Sequence, residues 1–217
     1  MAQTVRDIIK GAMRRNGALG SGNDPGAAEI ADGLTAYNNL VRGFHGNIIG
    51  TPLFPVTLAA SLTGEPGGHY MCALTAIATL TLPANPKMGA RVAYSDMKAN
   101  FATYNLTVNP NSRLIAGAAS NLTISANSAT AKYWFNNETG WVLEADATID
   151  ADCVYPAEAA GYLPDMLAVH FLSEFGGEVR PDVVARAVEG REVFARVFGR
   201  AGRNQANAPL TMTRPAA

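Results

Sequence analysis

Hydrophobic positions along this chain change their spacing twice. Near the start Val5, Ile8, Ile9, Ala12 and Met13 recur at i, i+3, i+4, i+7 and i+8, which places them on one face of a helix. Thr4 followed by Asp7 makes a capping-box pattern ahead of that face. Asn16-Gly17 supplies the stop, because Gly accepts the left-handed conformation that closes a helix. After the loop "ALGSGNDPG", Asp24-Pro25 predicts a second start, with Asp as N-cap and Pro where a missing N–H costs nothing. Ile30, Leu34, Tyr37, Val41 and Phe44 line one face of this second helix, which ends near His45-Gly46.

From Gly50 the helical period disappears. "TPLFPVTLAASLTGEPGG" carries three Pro and reads as an extended crossing and a turn. "HYMCALTAIATLTLP" then alternates, with Ile77, Thr79 and Thr81 on one side and Ala78, Leu80 and Leu82 on the other. "RVAYSDM" reads as a further strand after the turn residue Gly89. "YNLTV-NPNS-RLIAG" predicts a hairpin, since Pro sets φ and Asn tolerates turn geometry. Sixteen residues on, "SNLTI-SANS-ATAKYWF" repeats the plan, so Asn105-Leu106-Thr107-Val108 aligns with Asn121-Leu122-Thr123-Ile124. "NNETG" then turns the last strand into "WVLEAD". Short strands at this spacing predict a small antiparallel sandwich or barrel.

Helix returns after "ATIDADCVYPAE". Leu163, Met166, Leu167, His170, Phe171 and Phe175 form a stripe with Pro164 in its first turn and Gly176-Gly177 as its stop. Pro181-Asp182 opens a last helix whose apolar positions are Val184, Ala187, Val188, Phe194, Val197 and Phe198, with Arg191 among them. From Gly199 the stripe ends and an extended tail is expected. The fold class is therefore α+β. Residues 1–60 and 151–200 form the two halves of a helical body, 61–150 an inserted β-domain and 201–217 the C-terminal tail.

Composition narrows function mainly by exclusion. A net charge of −1 points to neither a general nucleic-acid binder nor a membrane-surface protein. From Arg180 onward, however, seven Arg face three acids, a locally basic end. No segment reaches the ~20 apolar residues of a membrane helix. The start has no secretion-signal order, so cytoplasmic synthesis is expected. Cys72 and Cys153 read as isolated thiols.

Motifs for chemistry are sparse. His45, His69 and His170 belong to no ligand pattern, and "GALGSGNDPG" follows a helix and lacks the Lys-Ser/Thr of a phosphate loop. Glu144, Asp146, Asp150 and Asp152 share one parity of an extended segment. They could offer oxygen ligands to Ca²⁺, but they read better as a solvated connecting strand. The "NLT", "NLT" and "NET" triplets fit strand and turn chemistry. Tyr133, Trp134, Phe135 and Trp141 could form a sugar platform, although alternation sends some of these rings into a core. No nucleophile elbow and no carboxylate pair for acid–base work is visible. No catalytic residue, metal site or cofactor is expected.

The helical ends carry a resemblance. "TVRDIIKGAMRRNGALGSGNDPGAAEIADGLTAYNNLVRGF" and "YPAEAAGYLPDMLAVHFLSEFGGEVRPDVVARA" resemble the two halves of head-to-tail adaptors of short-tailed bacteriophages, also called packaged-DNA stabilisation or tail accessory proteins. The middle, from "TLPANPKMGARVAYSDMK" to "NPNSRLIAG", looks like the β-insert of some such adaptors. Relatives often carry Trp at the end of the second helix, where this chain has Phe44. The resemblance implies a structural virion protein at the head–tail junction, made in the host cytoplasm. It implies a homo-oligomeric ring, dodecameric in similar adaptors, that extends the DNA channel and retains the packaged genome. Partners would be the portal protein above and a tail or nozzle protein below, with DNA passing through without sequence-specific binding. By the same analogy Arg200, Arg203, Leu210, Met212 and Arg214 are the candidate portal contacts. The alternative is a virion protein that binds glycans or a host surface through its β-domain.

Overall fold

The computed structural model describes residues 3–20, 22–47, 49–172 and 178–206, with the backbone alone for 46, 47 and 199–206. The chain is α+β. Helix α1 (Val5–Arg15) is opened by the Thr4/Asp7 capping box and α2 spans Ala27–Asn47. Among the described residues nine strands follow: β1 Phe54–Leu58, β2 Leu62–Thr63, β3 Gly68–Cys72, β4 Ala78–Thr81, β5 Arg91–Asp96, β6 Leu106–Asn109, β7 Leu122–Ile124, β8 Thr130–Asn136 and β9 Gly140–Leu143. Then come α3 (Ala157–Ala160), α4 (Leu163–His170) and α5 (Pro181–Ala206).

The strands form two mixed sheets, ordered β1-β3-β5-β8-β9 and β2-β4-β6-β7. The chain alternates between the sheets from β1 to β6, so β1, β3 and β5 pair in parallel, as do β2, β4 and β6. This winding is a correction to the expected all-antiparallel sandwich or barrel, and neither sheet closes. Each strand's extended period is readable from sequence, but pairing depends on where the chain goes after the turn. "NPNS" does not close a hairpin: Asn111 and Ser112 take positive φ, and β6 pairs instead with β7. The two Asn-Leu-Thr repeats thus lie side by side, Thr107 opposite Thr123. "SANS" carries the chain from one sheet to the other, whereas "NNETG" does close the β8–β9 hairpin.

β1 is an edge strand. The Phe54 N–H and the Leu58 carbonyl both bond toward the β3 side, so Pro55 has the parity of the open edge. Its missing N–H blunts further pairing there.

Two hydrophobic cores result. One lies between the sheets and holds Leu58, Tyr70, Leu80, Val92, Leu106, Val108, Phe135 and Trp141. The other is helical, with Ile8, Ile9, Tyr37, Phe44, Leu163, Leu167, Phe171, Phe194 and Phe198. Strand β8 serves both, because successive side chains point to opposite faces. Tyr133 and Phe135 enter the sheet–sheet core and Trp134 enters the helical one.

The last helix buries Ala187, Phe194 and Phe198 as its predicted stripe requires, but differs from the sequence reading at Val184 and Val188 and in length. Val183, Ala187, Phe194 and Phe198 are buried, while Val184 and Val188 are exposed. The helix passes Gly199 and continues to Ala206. Phe175 and the Gly176-Gly177 stop lie outside the described residues.

Candidate functional site

The most organised polar region lies where the β-sheets meet the helices. Residues 143–153 form a strap laid along α1 and α2. Its odd positions are small or apolar, and Ala147, Ile149, Ala151 and Cys153 pack against the helical core. Its even positions hold Thr148 and the four acids noted in the sequence, and three of these acids meet arginines from three different elements. Arg91 of β5 grips Glu144 with two bonds of 2.6 and 2.8 Å, Arg42 of α2 grips Asp146 at 3.0 and 2.5 Å, and Arg6 of α1 bonds Asp150 at 3.1 and 2.8 Å. Asp152 pairs in a β-bridge with Thr4.

The strap also completes α1. The first turn of a helix has N–H groups with no intrahelical acceptor, and here Val5 and Arg6 donate to the carbonyls of Ala151 and Ile149 at 2.9 and 3.0 Å. Asn38 of α2 imitates a strand neighbour, accepting from the Ala147 N–H at 2.9 Å and donating to its carbonyl at 3.3 Å.

These ion pairs differ in weight. Arg42–Asp146 and Arg6–Asp150 are exposed, worth about 0–1 kcal/mol each. Arg91 and Glu144 are only 13% and 8% exposed. A buried pair adds little over an apolar one, but losing one member strands a charge. Arg91 also sits between the two ends of the β-region: Gly50 has φ +96, and a Cβ there would collide with the Arg91 stem. The entering and leaving chain therefore both close on this one side chain. The sequence reading of a solvated acidic strand is corrected at Glu144, whose burial depends on Arg91 folding over it.

Beside this clamp lies an open cavity of about 450 Å³, lined by Arg42, His45, Arg91, Lys132, Glu144 and Asp146 among others. A second, more apolar cavity of about 240 Å³ runs under the strap and shares His45 with the first. His45 lies 3.3 Å from the Tyr155 hydroxyl, and burial lowers its pKa from the ordinary value. Trp134 stacks on Tyr155 with ring centroids 5.6 Å apart. Among the described residues its indole N–H is buried without a partner, at a cost of about 1–3 kcal/mol. Burying some ~200 Å² of ring contributes about 5 kcal/mol, so the ring stays inside.

The remaining sequence candidates fall elsewhere. Tyr133, Trp134, Phe135 and Trp141 are all at most 4% exposed, so none contributes an aromatic face to solvent. Alternation foretold the two directions but not that a helical layer would cover the outer one. Cys72 and Cys153 are free; burial pushes Cys72 up to about 11 and raises Cys153 too. His69 bonds Ser95 at 2.8 Å, and His170 ends α4. Among the described residues no group of three or more His, Cys, Asp or Glu is placed to hold a metal, and no helix is long and apolar enough to cross a membrane. Arg200 and Arg203 fall on the helical backbone of α5. Leu210, Met212 and Arg214 lie outside the described residues.

The sequence missed Asp165, which is 1% exposed on α4 and accepts from Arg15 of α1 at 2.8 Å and Arg186 of α5 at 3.1 Å. Its only signal was an acid in a helix first turn, where acids are common.

No family model matches this chain, and no curated protein matches it. A chain in a solved structure described as "Structure of a chaperone-substrate complex" is 18% identical over 40% of this chain and 14% of its own length, with a TM-score of 0.29. That likeness is too weak to carry fold or function across.

Proposed function

We propose that this chain is a structural virion protein, a ring-forming head-to-tail adaptor of a short-tailed bacteriophage that acts without catalysis. The observation that carries the reading is the construction of the helical body. Helices from both ends of the chain share one core, and α5 runs eight residues beyond Phe198, the last buried residue described. Eight helical residues span about 12 Å, and Arg200 and Arg203 on them would be contacts to a partner. The residues after Ala206, with Leu210, Met212 and Arg214, would continue that contact onto the portal. The β-region, clamped at Arg91, would project from the ring as a rigid appendage. Ring copies would extend the channel for packaged DNA and meet a tail or nozzle protein below. A net charge of −1 suits a wall past which DNA must slide.

The mass of the protein alone, and mixed with portal rings, tests this. Assembly onto the portal that is lost when residues 207–217 are removed is the expected result. A chain that stays unassembled and ignores portal rings overturns the reading.

A further inference from the structure

Three glycines set the order of the helical layer. A Cβ on Gly33 of α2 would meet Ile9 of α1 at 2.5 Å, one on Gly11 of α1 would meet Pro164 of α4 at 3.3 Å, and one on Gly190 of α5 would meet Tyr162 and Met166 at 2.6 and 3.0 Å. The helices therefore run α2, α1, α4, α5, close-packed at each crossing. α2 and α5 converge where Phe44 meets Phe194 at 4.8 Å, while Gly33 in α2 packs on α1 and Gly190 in α5 packs on α4.

The two flanks are complementary. On α5, Val184 and Val188 are 40% and 55% exposed, one turn apart on the outer face, with exposed Arg191 beside them. On α2, Ala28, Ala31, Asp32 and Thr35 are exposed at i, i+3, i+4 and i+7, a shallow face of small residues bearing one acid. Among the described residues neither Asp32 nor Arg191 has an ion-pair partner. Apolar knobs beside an unpaired cation on one flank thus match a small-residue face with an unpaired anion on the other.

We propose that the α5 face of one copy docks on the α2 face of the next, Val184 and Val188 against Ala28, Ala31 and Thr35, with Arg191 toward Asp32. Small residues let helices approach at the 8–10 Å of ordinary packing. Docking one patch on a different patch of the next copy makes the contact heterologous, which generates rings or filaments. Two short helix faces bury well under the ~1,200 Å² of a stable complex, so the free chain associates weakly and a ring needs closure or a template. The proposal rests on the adaptor reading only in taking the chain to self-associate.

Disulfide trapping captures such a weak contact. The full chain carrying Thr35→Cys and Val188→Cys is oxidised and run on a non-reducing gel beside the unaltered chain and each single variant. A ladder of dimers, trimers and higher species is expected from the double variant, with nothing beyond dimers from either single one. Adding Asp32→Lys should lower the yield several-fold, and adding Arg191→Glu to that should restore it. The absence of species above dimer, or an equal ladder from Thr35→Cys paired with Thr63→Cys, overturns the proposal, as does a yield indifferent to Asp32→Lys. A ladder from a chain that ignores portal rings would sink the adaptor reading and leave this interface standing. Normal assembly on portal rings without a ladder would do the reverse.

Discussion

The two cores of this molecule use the chain in opposite ways. The sheet–sheet core draws on the continuous stretch from Val56 to Trp141. The helical core joins residues 5–49 to 155–198, with Trp134 reaching in from β8. Closing a loop of roughly 100 residues costs on the order of 4 kcal/mol in chain entropy before any contact offsets it. A folded β-region shortens that loop in advance, since Arg91 holds the incoming chain at Gly50 against the outgoing chain at Glu144. The helical body therefore depends on the β-region, while the β-region depends on the helices mainly through one face of β8.

Removing Trp134 attacks that dependence most directly. Trp134→Ala should cost about 3–5 kcal/mol and uncouple the transitions, with helical signal at 222 nm lost before the fluorescence of Trp141. Trp141→Ala should cost as much but bring both regions down together. Coincident transitions in Trp134→Ala would break the comparison.

The clamp should show the next largest effect. Glu144→Gln leaves Arg91 largely buried without its carboxylate and should lower stability by about 3 kcal/mol, read as a shift in denaturant midpoint. Arg91→Met added to it should recover most of the loss. If the double variant is as weak as the single one, the clamp acts through shape and not through charge.

His45 should show the smallest effect. Burial depresses its pKa in the folded chain, and Arg91 and Lys132 face it across the cavity alongside Glu144, Asp146 and Arg42. Above the ordinary value near 6.5 the ring is neutral in both states and stability is fully present. As pH falls below that value the unfolded chain binds the proton first, so stability is lost through the folded pKa. Denaturation at pH 7.5 and 5.5 should show a decline that His45→Gln reduces. An identical decline in the variant would assign the pH response elsewhere.

Much of the local structure was legible in the residues themselves. The α1 stripe from Val5 to Met13 and its Thr4/Asp7 box are in place, as is the Pro-led start of α5. On α5 Ala187, Phe194 and Phe198 are buried as read, and the error was confined to Val184 and Val188, which stand exposed while Val183 is buried. Each of these valines lies at helical spacing from another apolar position of the helix. The choice fell to Gly190, the position where α4 comes close. The strap shows the same limit. Its alternation of acids with small apolar residues was visible, but the three arginines lie 53 to 144 positions away.

What the sequence determined alone is periodic and local: which segments are helix or strand, where most caps and turns fall, and that helical ends flank a β-region. The Asp24-Pro25 start is the exception, since α2 opens at Ala27 and Asp24 pairs with Lys10. Those features come from steric and hydrogen-bonding preferences acting over a few residues. Tertiary structure decided the rest: the parallel winding of β1 to β6, the burial of all four aromatic rings around β8, the charge partners of the strap, and the outward face of α5. Each of these depends on which distant surface arrives at a given side chain, and close packing allows only one arrival.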